Sequence, residues 1–344
     1  MRYTNVFIKA FGYELAPNVI TSEDLEERLA PVYDKLHLKK GQLEVLTGIY
    51  ERRFWDPGYK MADGATNAGK KALAAANIPK EKVKMLIYSG VCRDNLEPAT
   101  ACAVADGLGL GADTEIYDVS NACLGVLNGM IQTANAIELG QIEAGLIVSC
   151  ESAREIVEIT IERLLAAKDM TLFKDTIATL TGGSGAVAVL LTNKALSDGR
   201  RRLMGGVVKN ASAHHGLCLW GPGAGRVADG IYLMKTDSVG VLQHGVALGI
   251  DTYTAFRQNI GWSEPDKIIC HQVGSAHQKT ILKSIGMSEE KDFTTFQYLG
   301  NIGTVSLPIT AAIAEEREFL VKGDNVGFFG IGSGLNCLML GIQW

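Results

Sequence analysis

The 344-residue chain has no Cys-x-x-Cys pair; its seven cysteines (92, 102, 123, 150, 218, 270 and 337) are scattered and odd in number. That excludes a disulfide scaffold and a zinc ribbon. A basic excess is also missing. With 33 Lys and Arg against 38 Asp and Glu, the formal net charge is −5, which argues against nucleic acid or an anionic membrane as the main partner. Lys9 interrupts the apolar residues of the first ten positions, so no signal peptide is read there. Two long charge-free stretches, 176–193 and 326–344, are broken by Gly182-Gly183-Ser184-Gly185 and by Gly332-Ser333-Gly334. Each reads as strand–turn–strand rather than as a bilayer helix. No nucleotide loop is evident. Gly221-Pro222-Gly223-Ala224-Gly225 is followed by no Lys-Ser/Thr, and the 182–185 turn leads into a strand instead of a helix. These absences point to a cytoplasmic protein without a transmembrane segment.

What is present suits a soluble chain with a large core: 47% of residues are apolar and 21% charged. The length predicts two domains or one large duplicated one. The 39 glycines suggest many tight turns and close backbone approaches. Short apolar strands alternate with helix-period segments: a strand at 83–89, a helix at 99–108, a strand at 114–119, a helix at 123–139 and a strand at 144–150. Runs apolar on both faces, such as Gly145-Leu-Ile-Val-Ser149, need a sheet covered on both sides, so the class is α/β. Ser152-Ala-Arg-Glu155 has the form of a capping box opening a helix to about Lys168, and 168–181 reads as a less regular excursion. Residues 193–230 carry turn chemistry and mark a boundary.

A weak internal repeat supports duplication. Residues 82–89 resemble 267–271, the segment Tyr117 to Gly125 parallels Tyr298 to Gly303, and 144–148 parallels 325–329. Two copies of a βαβαβ unit, 1–195 and 196–344, account for the length. In that arrangement Cys123 and Asn301 occupy corresponding strand-to-helix turns, and His271 ends a strand. Loops beyond the carboxyl ends of strands are where α/β sheets place their chemistry.

Cys123 follows the strand 115–119 and begins a helix. A thiol there faces free N–H groups and the positive end of the helix dipole, which predicts a lowered pKa. The alternative is one more buried small apolar side chain. His271 closes the strand Ile268-Ile269-Cys270, a place for a general acid/base or an oxyanion donor, or for a hydrogen-bonded structural histidine. Asn301, between Gly300 and Gly303, is either a turn residue or the third member of a Cys–His–Asn set for thioester chemistry. His214, His215 and Cys218 have ligand-type side chains but sit in a Gly-rich loop, and no metal is assigned to them.

Four motifs in one order now carry a resemblance: Asp118-Val-Ser-Asn-Ala-Cys-Leu-Gly125, His271-Gln-Val, Gly300-Asn-Ile-Gly-Thr-Val-Ser306 and Gly332-Ser-Gly334. The chain resembles the thiolase-superfamily condensing enzymes, in particular the ketoacyl synthase III branch, whose Thr-Gly-Ile-x-x-Arg segment is matched by Thr47 to Arg52. The resemblance implies a duplicated five-layer αβαβα thiolase fold and a homodimer. It implies that Cys123 takes an acyl group from a thioester and that His271 and Asn301 stabilise the enolate of a second one. The N–H groups of Cys123 and Gly334 would form an oxyanion hole. No permanently bound cofactor or metal is implied; coenzyme A or acyl carrier protein thioesters would be substrates.

The sequence also departs from that branch. The positions that commonly carry a Trp and an Arg for the coenzyme A nucleotide are Gln42 and Leu46, so those contacts are not carried over. Glu97, in Asn95-Leu-Glu-Pro98, stands in a loop whose family counterpart is apolar and crosses the dimer. This loop, the Ile331-Gly-Ser-Gly-Leu-Asn336 ending and the longer insertion from Ser152 to Thr181 resemble the OleA-type enzymes, which join two fatty acyl-CoAs without a malonyl donor. That reaction needs a base for the α-proton, and a carboxylate raised in pKa by burial could supply it, although a solvated loop carboxylate is the blander reading of Glu97. Two other readings stand beside this one: a ketoacyl synthase III using malonyl-ACP, and a non-catalytic partner subunit of the same fold.

Overall fold

The computed structural model describes residues 1–225 and 232–344; positions 226–230 of the expected boundary region lie outside the described residues. The first half supplies strands β1 (Phe7–Leu15), β2 (Asn18–Thr21), β3 (Glu51–Phe54), β4 (Val83–Ser89), β5 (Glu115–Val119), β6 (Ala144–Glu151) and β7 (Gly185–Thr192). The second supplies β8 (Arg202–Asn210), β9 (Cys218–Trp220), β10 (Met234–Thr236), β11 (Lys267–Cys270), β12 (Asn325–Gly332) and β13 (Asn336–Gln343). Helices α1 to α4 are Ser22–Arg28, Ala30–Leu36, Gln42–Thr47 and Met61–Ala76. Helices α5 to α8 are Thr100–Leu108, Gly125–Glu138, Arg154–Ala167 and Met170–Thr176. Helices α9 to α12 are Ser238–Ile260, Ser275–Ser284, Phe296–Leu299 and Ser306–Glu316.

The large sheet has the order β11-β12-β13-β8-β1-β7-β6-β4-β5, so strands before position 195 occupy one end and those after it the other. A single pair, Phe7 with Arg202, joins the two groups at β1 and β8. Strands β6 and β7 are buried along their whole length, as two covered faces require. Helices α4 and α5 cover one outer face over an alanine-rich core, and α9 and α10 cover the other. Between the two groups lie α6 and α12; α12 touches both β7 and β11, and its face packs from Leu307 to Ala314. Five layers result, as the thiolase resemblance implied.

The repeat is imperfect. Where the first half has β5, the described residues of the second have only the isolated bridge between Ile268 and Asp292 and the short helix α11. Several local expectations also change. The 152–155 capping box does not form: α7 starts at Arg154, its cap Ala153 makes no side-chain bond, and Ser184 Oγ accepts the Ala153 N–H at 3.1 Å. The excursion at 168–181 is mostly helical, because Asp169 caps α8 by accepting from Leu172 N at 2.8 Å. Residues 326–344 are a hairpin as read, whereas 176–193 are the end of α8, a turn and one strand. No helix among the described residues is long and apolar enough to cross a membrane.

Candidate active site

After β5 the chain makes a sharp elbow. Ala122, just before Cys123, has φ +43°, a left-handed conformation in which a residue with a Cβ is strained. Leu124 N and Gly125 N turn back to the carbonyls of Asn121 and Ala122. Asn121 is held from two sides: its amide donates to Asn128 Oδ1 at 2.7 Å and its oxygen accepts from Asn336 Nδ2 at 3.2 Å. Thr304 Oγ1 accepts the Val126 N–H at 2.7 Å and ties the start of α6 to the Asn301 loop. The glycines of β12 let that strand press on the elbow. A Cβ on Gly330 would stand 2.5 Å from Leu124, and one on Gly332 would stand 3.4 Å from both N and Cβ of Cys123.

His271 lies beside β12, its N–H donating to Phe329 O at 3.0 Å, three residues before the Gly332 that faces Cys123. It is 9% exposed, and its Nδ1 has no hydrogen-bond partner among the described residues. Burial, with His277 nearby, pushes its pKa down to about 4, so the imidazole is neutral at pH 7. The strand end is braced from below. Asp292 accepts from Cys270 N at 3.1 Å and from Gln278 Nε2 at 2.9 Å, and burial pushes its carboxyl up to about 7. Gln272 donates to Cys270 O and accepts from Thr295 N.

Asn301 is fixed by backbone. Its N–H donates to Thr181 O, and its carbonyl accepts from Gly183 N, both at 2.9 Å. Such close stacking explains the glycines on both sides: a Cβ on Gly183 would meet Leu299 O at 2.1 Å, and one on Gly300 would meet Thr181 O at 2.6 Å. The Asn301 Oδ1 accepts from Gly303 N at 3.0 Å, which leaves its NH2 as the end available to a ligand. Gly334 sits in the β12–β13 turn at φ +131°, where a Cβ would meet Asn336 Nδ2 at 2.5 Å.

The expected low thiol pKa is corrected. α6 begins at Gly125 with Leu124 as its cap, so Cys123 stands outside the helix end. Burial pushes its thiol up to about 12, with Cys218 and the buried Glu151 adding to the rise. Desolvation of the charged form outweighs whatever the dipole gives at that distance. Glu97 is exposed, as is its neighbour Leu96 at 93%, so the burial expected of this carboxylate is not supplied by the chain's own fold. The base of its loop is anchored. Asp94 accepts from Met61 N and Ala62 N, and Glu151 accepts from Val91 N and Cys92 N.

Cys123, His271 and the 332–334 turn are thus arranged about one end of β12, the Asn301 loop joins the Cys123 elbow through Thr304, and Glu97 is not among them. Gln42 and Leu46 lie on α3, the first half-buried and the second exposed. His214 stacks on His244 with ring centroids 3.7 Å apart, and no group of three or more metal-type side chains exists among the described residues. Reading the sequence missed Ala122, Thr304, Asp292 and Glu151. Only Glu151 left a signal there, as a lone carboxylate closing the apolar run of β6.

Residues 59–158 match the model of the thiolase N-terminal domain, and 256–344 match that of the 3-oxoacyl-[acyl-carrier-protein] synthase III C terminus. An acyl-CoA:acyl-CoA alkyltransferase of Shewanella oneidensis is 51% identical, with 100% of each chain covered. Its counterpart in Xanthomonas campestris pv. campestris is 38% identical, again over 100% of each chain. Among solved structures, cerulenin-bound Xanthomonas campestris OleA superposes with a TM-score of 0.95 at 38% identity, covering 100% of this chain and 98% of that one. A Cys-to-Ser form of the same protein, with bound lauric acid and lauroyl-CoA, gives 0.93 at 37% identity over 99% and 100% of the two chains.

Proposed function

The chain belongs to the acyl-CoA:acyl-CoA alkyltransferase (OleA) family of thiolase-fold acyltransferases, and from that premise we propose that it joins two fatty acyl-CoAs by a non-decarboxylative Claisen condensation. Cys123 attacks the first thioester as its proton leaves; coenzyme A departs as the thiol and an acyl-Cys123 remains. The N–H groups of Cys123 and Gly334 receive the oxyanion of this step. The second acyl-CoA loses an α-proton to the Glu97 carboxylate, and its enolate oxygen is held by His271 and the Asn301 NH2. The enolate carbon then attacks acyl-Cys123, the C–S bond breaks, and a β-ketoacyl-CoA leaves; the proton on Glu97 returns the thiolate to the thiol.

The observation that carries this reading is a strained nucleophile elbow and a buried imidazole with no partner for Nδ1 among the described residues, both at the end of β12, with a fixed amide whose NH2 is free on the loop that Thr304 ties to the elbow. The exposed Glu97 loop supports a homodimer in which each subunit lends its carboxylate to the other. The exposed edge strand β5, with Ile116 at 36%, supports the same assembly. We take residues 1–195 and 196–344 as the two halves of each subunit, coenzyme A thioesters as substrates with no permanent cofactor, and the cytoplasm as the site of action.

The test is incubation with one long-chain acyl-CoA alone, followed by mass spectrometry of protein and products. The expected result is acylation of Cys123 only and a β-keto product without CO2. Glu97→Gln is expected to leave acylation near wild type while condensation falls ~10²–10⁴-fold, the range of a lost general base. A requirement for malonyl-ACP, or indifference to Glu97→Gln, refutes the reading in favour of a ketoacyl synthase III. Absence of any acylation would leave the non-catalytic subunit.

A further inference from the structure

Glu151 ends β6 and is only 5% exposed, yet the mechanism above does not use it. No lysine or arginine forms an ion pair with it among the described residues. Instead its two oxygens go to two consecutive backbone amides, Oε1 to Val91 N at 2.8 Å and Oε2 to Cys92 N at 3.0 Å. Those amides open the loop that carries Leu96 and Glu97. Nearby, the Tyr88 hydroxyl bridges Cys92 O at 2.6 Å and Cys150 O at 2.8 Å, a second tie between the loop's base and the end of β6. Toward the other side, a Cβ on Gly303 would lie 3.8 Å from the Glu151 carboxyl, and the Gly303 N–H is the one that orients Asn301.

A bidentate carboxylate is suited to this task. Glutamine offers one acceptor oxygen and would turn an NH2 toward the second N–H, leaving that donor unmet. Burying a carboxylate is costly, and burial indeed pushes this one above its usual range, against the pull of the two amides and of Arg93. Both amides belong to the loop that carries the exposed Leu96 and Glu97.

We propose that Glu151 is a positioning residue that fixes the Glu97 loop, so that it serves the condensing site of the partner subunit rather than the site of its own chain. This rests on Glu97 acting across the dimer, and the experiment keeps the two claims apart. Heterodimers are purified with two tags, and every pair contains one Cys123→Ala subunit, so only one site can react. The reference pairs Cys123→Ala with wild type. In the first test pair, Cys123→Ala also carries Glu151→Gln; the working site then borrows a loosened loop. In the second, Glu151→Gln lies in the subunit that keeps Cys123, and the borrowed loop is intact.

Condensation is expected to fall ~10–100-fold in the first pair, the scale of a catalytic group displaced by about 1 Å, and less than about threefold in the second. Hydrogen exchange at Val91 and Cys92 should quicken in Glu151→Gln while Cys123 acylation is kept. The reverse pattern, or equal loss in both pairs, overturns the proposal. Should Glu151→Gln fail to fold, Glu151→Asp keeps the charge but is too short to reach both amides, and the same asymmetry is expected of it. A third pair, with Glu97→Gln added to the Cys123→Ala subunit, tests the underlying reading: undiminished activity there refutes Glu97 in trans, whereas its loss beside an active first test pair refutes only the role of Glu151.

Discussion

At neutral pH the Cys123–His271 site is expected to rest with both groups uncharged, and a pH titration tests this directly. With the thiol at about 12, about 10⁻⁵ of Cys123 is thiolate at pH 7. With the imidazole at about 4, about 10⁻³ of His271 is protonated. Moving the proton from sulfur to imidazole crosses about eight powers of ten, or roughly 11 kcal/mol at 1.36 kcal/mol each. Attraction between the resulting charges would return about 4 kcal/mol even at about 4 Å in a medium of effective dielectric about 20, less than half of that cost. The neutral pair therefore wins by several kcal/mol. The proton must leave while sulfur attacks, and we propose that the neutral His271, besides holding the later enolate, passes it to the departing coenzyme A. The assay compares the ultraviolet thiolate absorbance of wild type and Cys123→Ala from about pH 5 to about pH 9, alongside single-turnover acylation over the same range. No thiolate step and a flat acylation rate are expected. His271→Ala should slow acylation as well as condensation, and Asn301→Ala condensation alone. A thiolate step near neutrality that belongs to Cys123 would refute the reasoning and restore the helix-dipole account.

Three further outcomes follow from the frame of the site. Asp292 has its folded pKa raised from 3.8 to about 7, so the stability it contributes is complete below pH 3.8 and is lost as pH rises through 7, about 4 kcal/mol in all. Asp292→Asn removes that dependence, and in urea unfolding its advantage over wild type should grow by that amount between about pH 4 and about pH 8; a difference that does not change with pH refutes it. Thr304→Val deletes the acceptor of Val126 N–H and should cost ~1–3 kcal/mol in the same assay while slowing Cys123 acylation. Gly183→Ala drives a methyl into Leu299 O, so the Asn301 loop must shift, and condensation should fall with acylation largely kept; unchanged turnover would show that the loop has room to spare.

The α/β class was legible in the sequence because it leaves a local mark, and the proposed halves and site residues were read from marks of the same kind. Strands buried on both faces are largely apolar, as β6 and β7 are, and the Asn301 turn keeps its Asn among glycines that a close backbone demands. Chain chemistry alone could not set the charge state of Cys123. Its thiol looked like the first residue of a helix, and only the packing of β12 and the nearness of Glu151 and Cys218 decided that desolvation outweighs the dipole. The same holds for caps. Ser152 had the right sequence for a box, but Ser184, some 30 residues on, took the Ala153 amide instead. The braces that hold the site, Asp292 under His271, Thr304 on α6 and Glu151 under the Glu97 loop, join residues 22, 178 and 59–60 positions apart. Such pairs have no periodicity to betray them, because the tertiary fold alone brings donor and acceptor within 3 Å or so of each other.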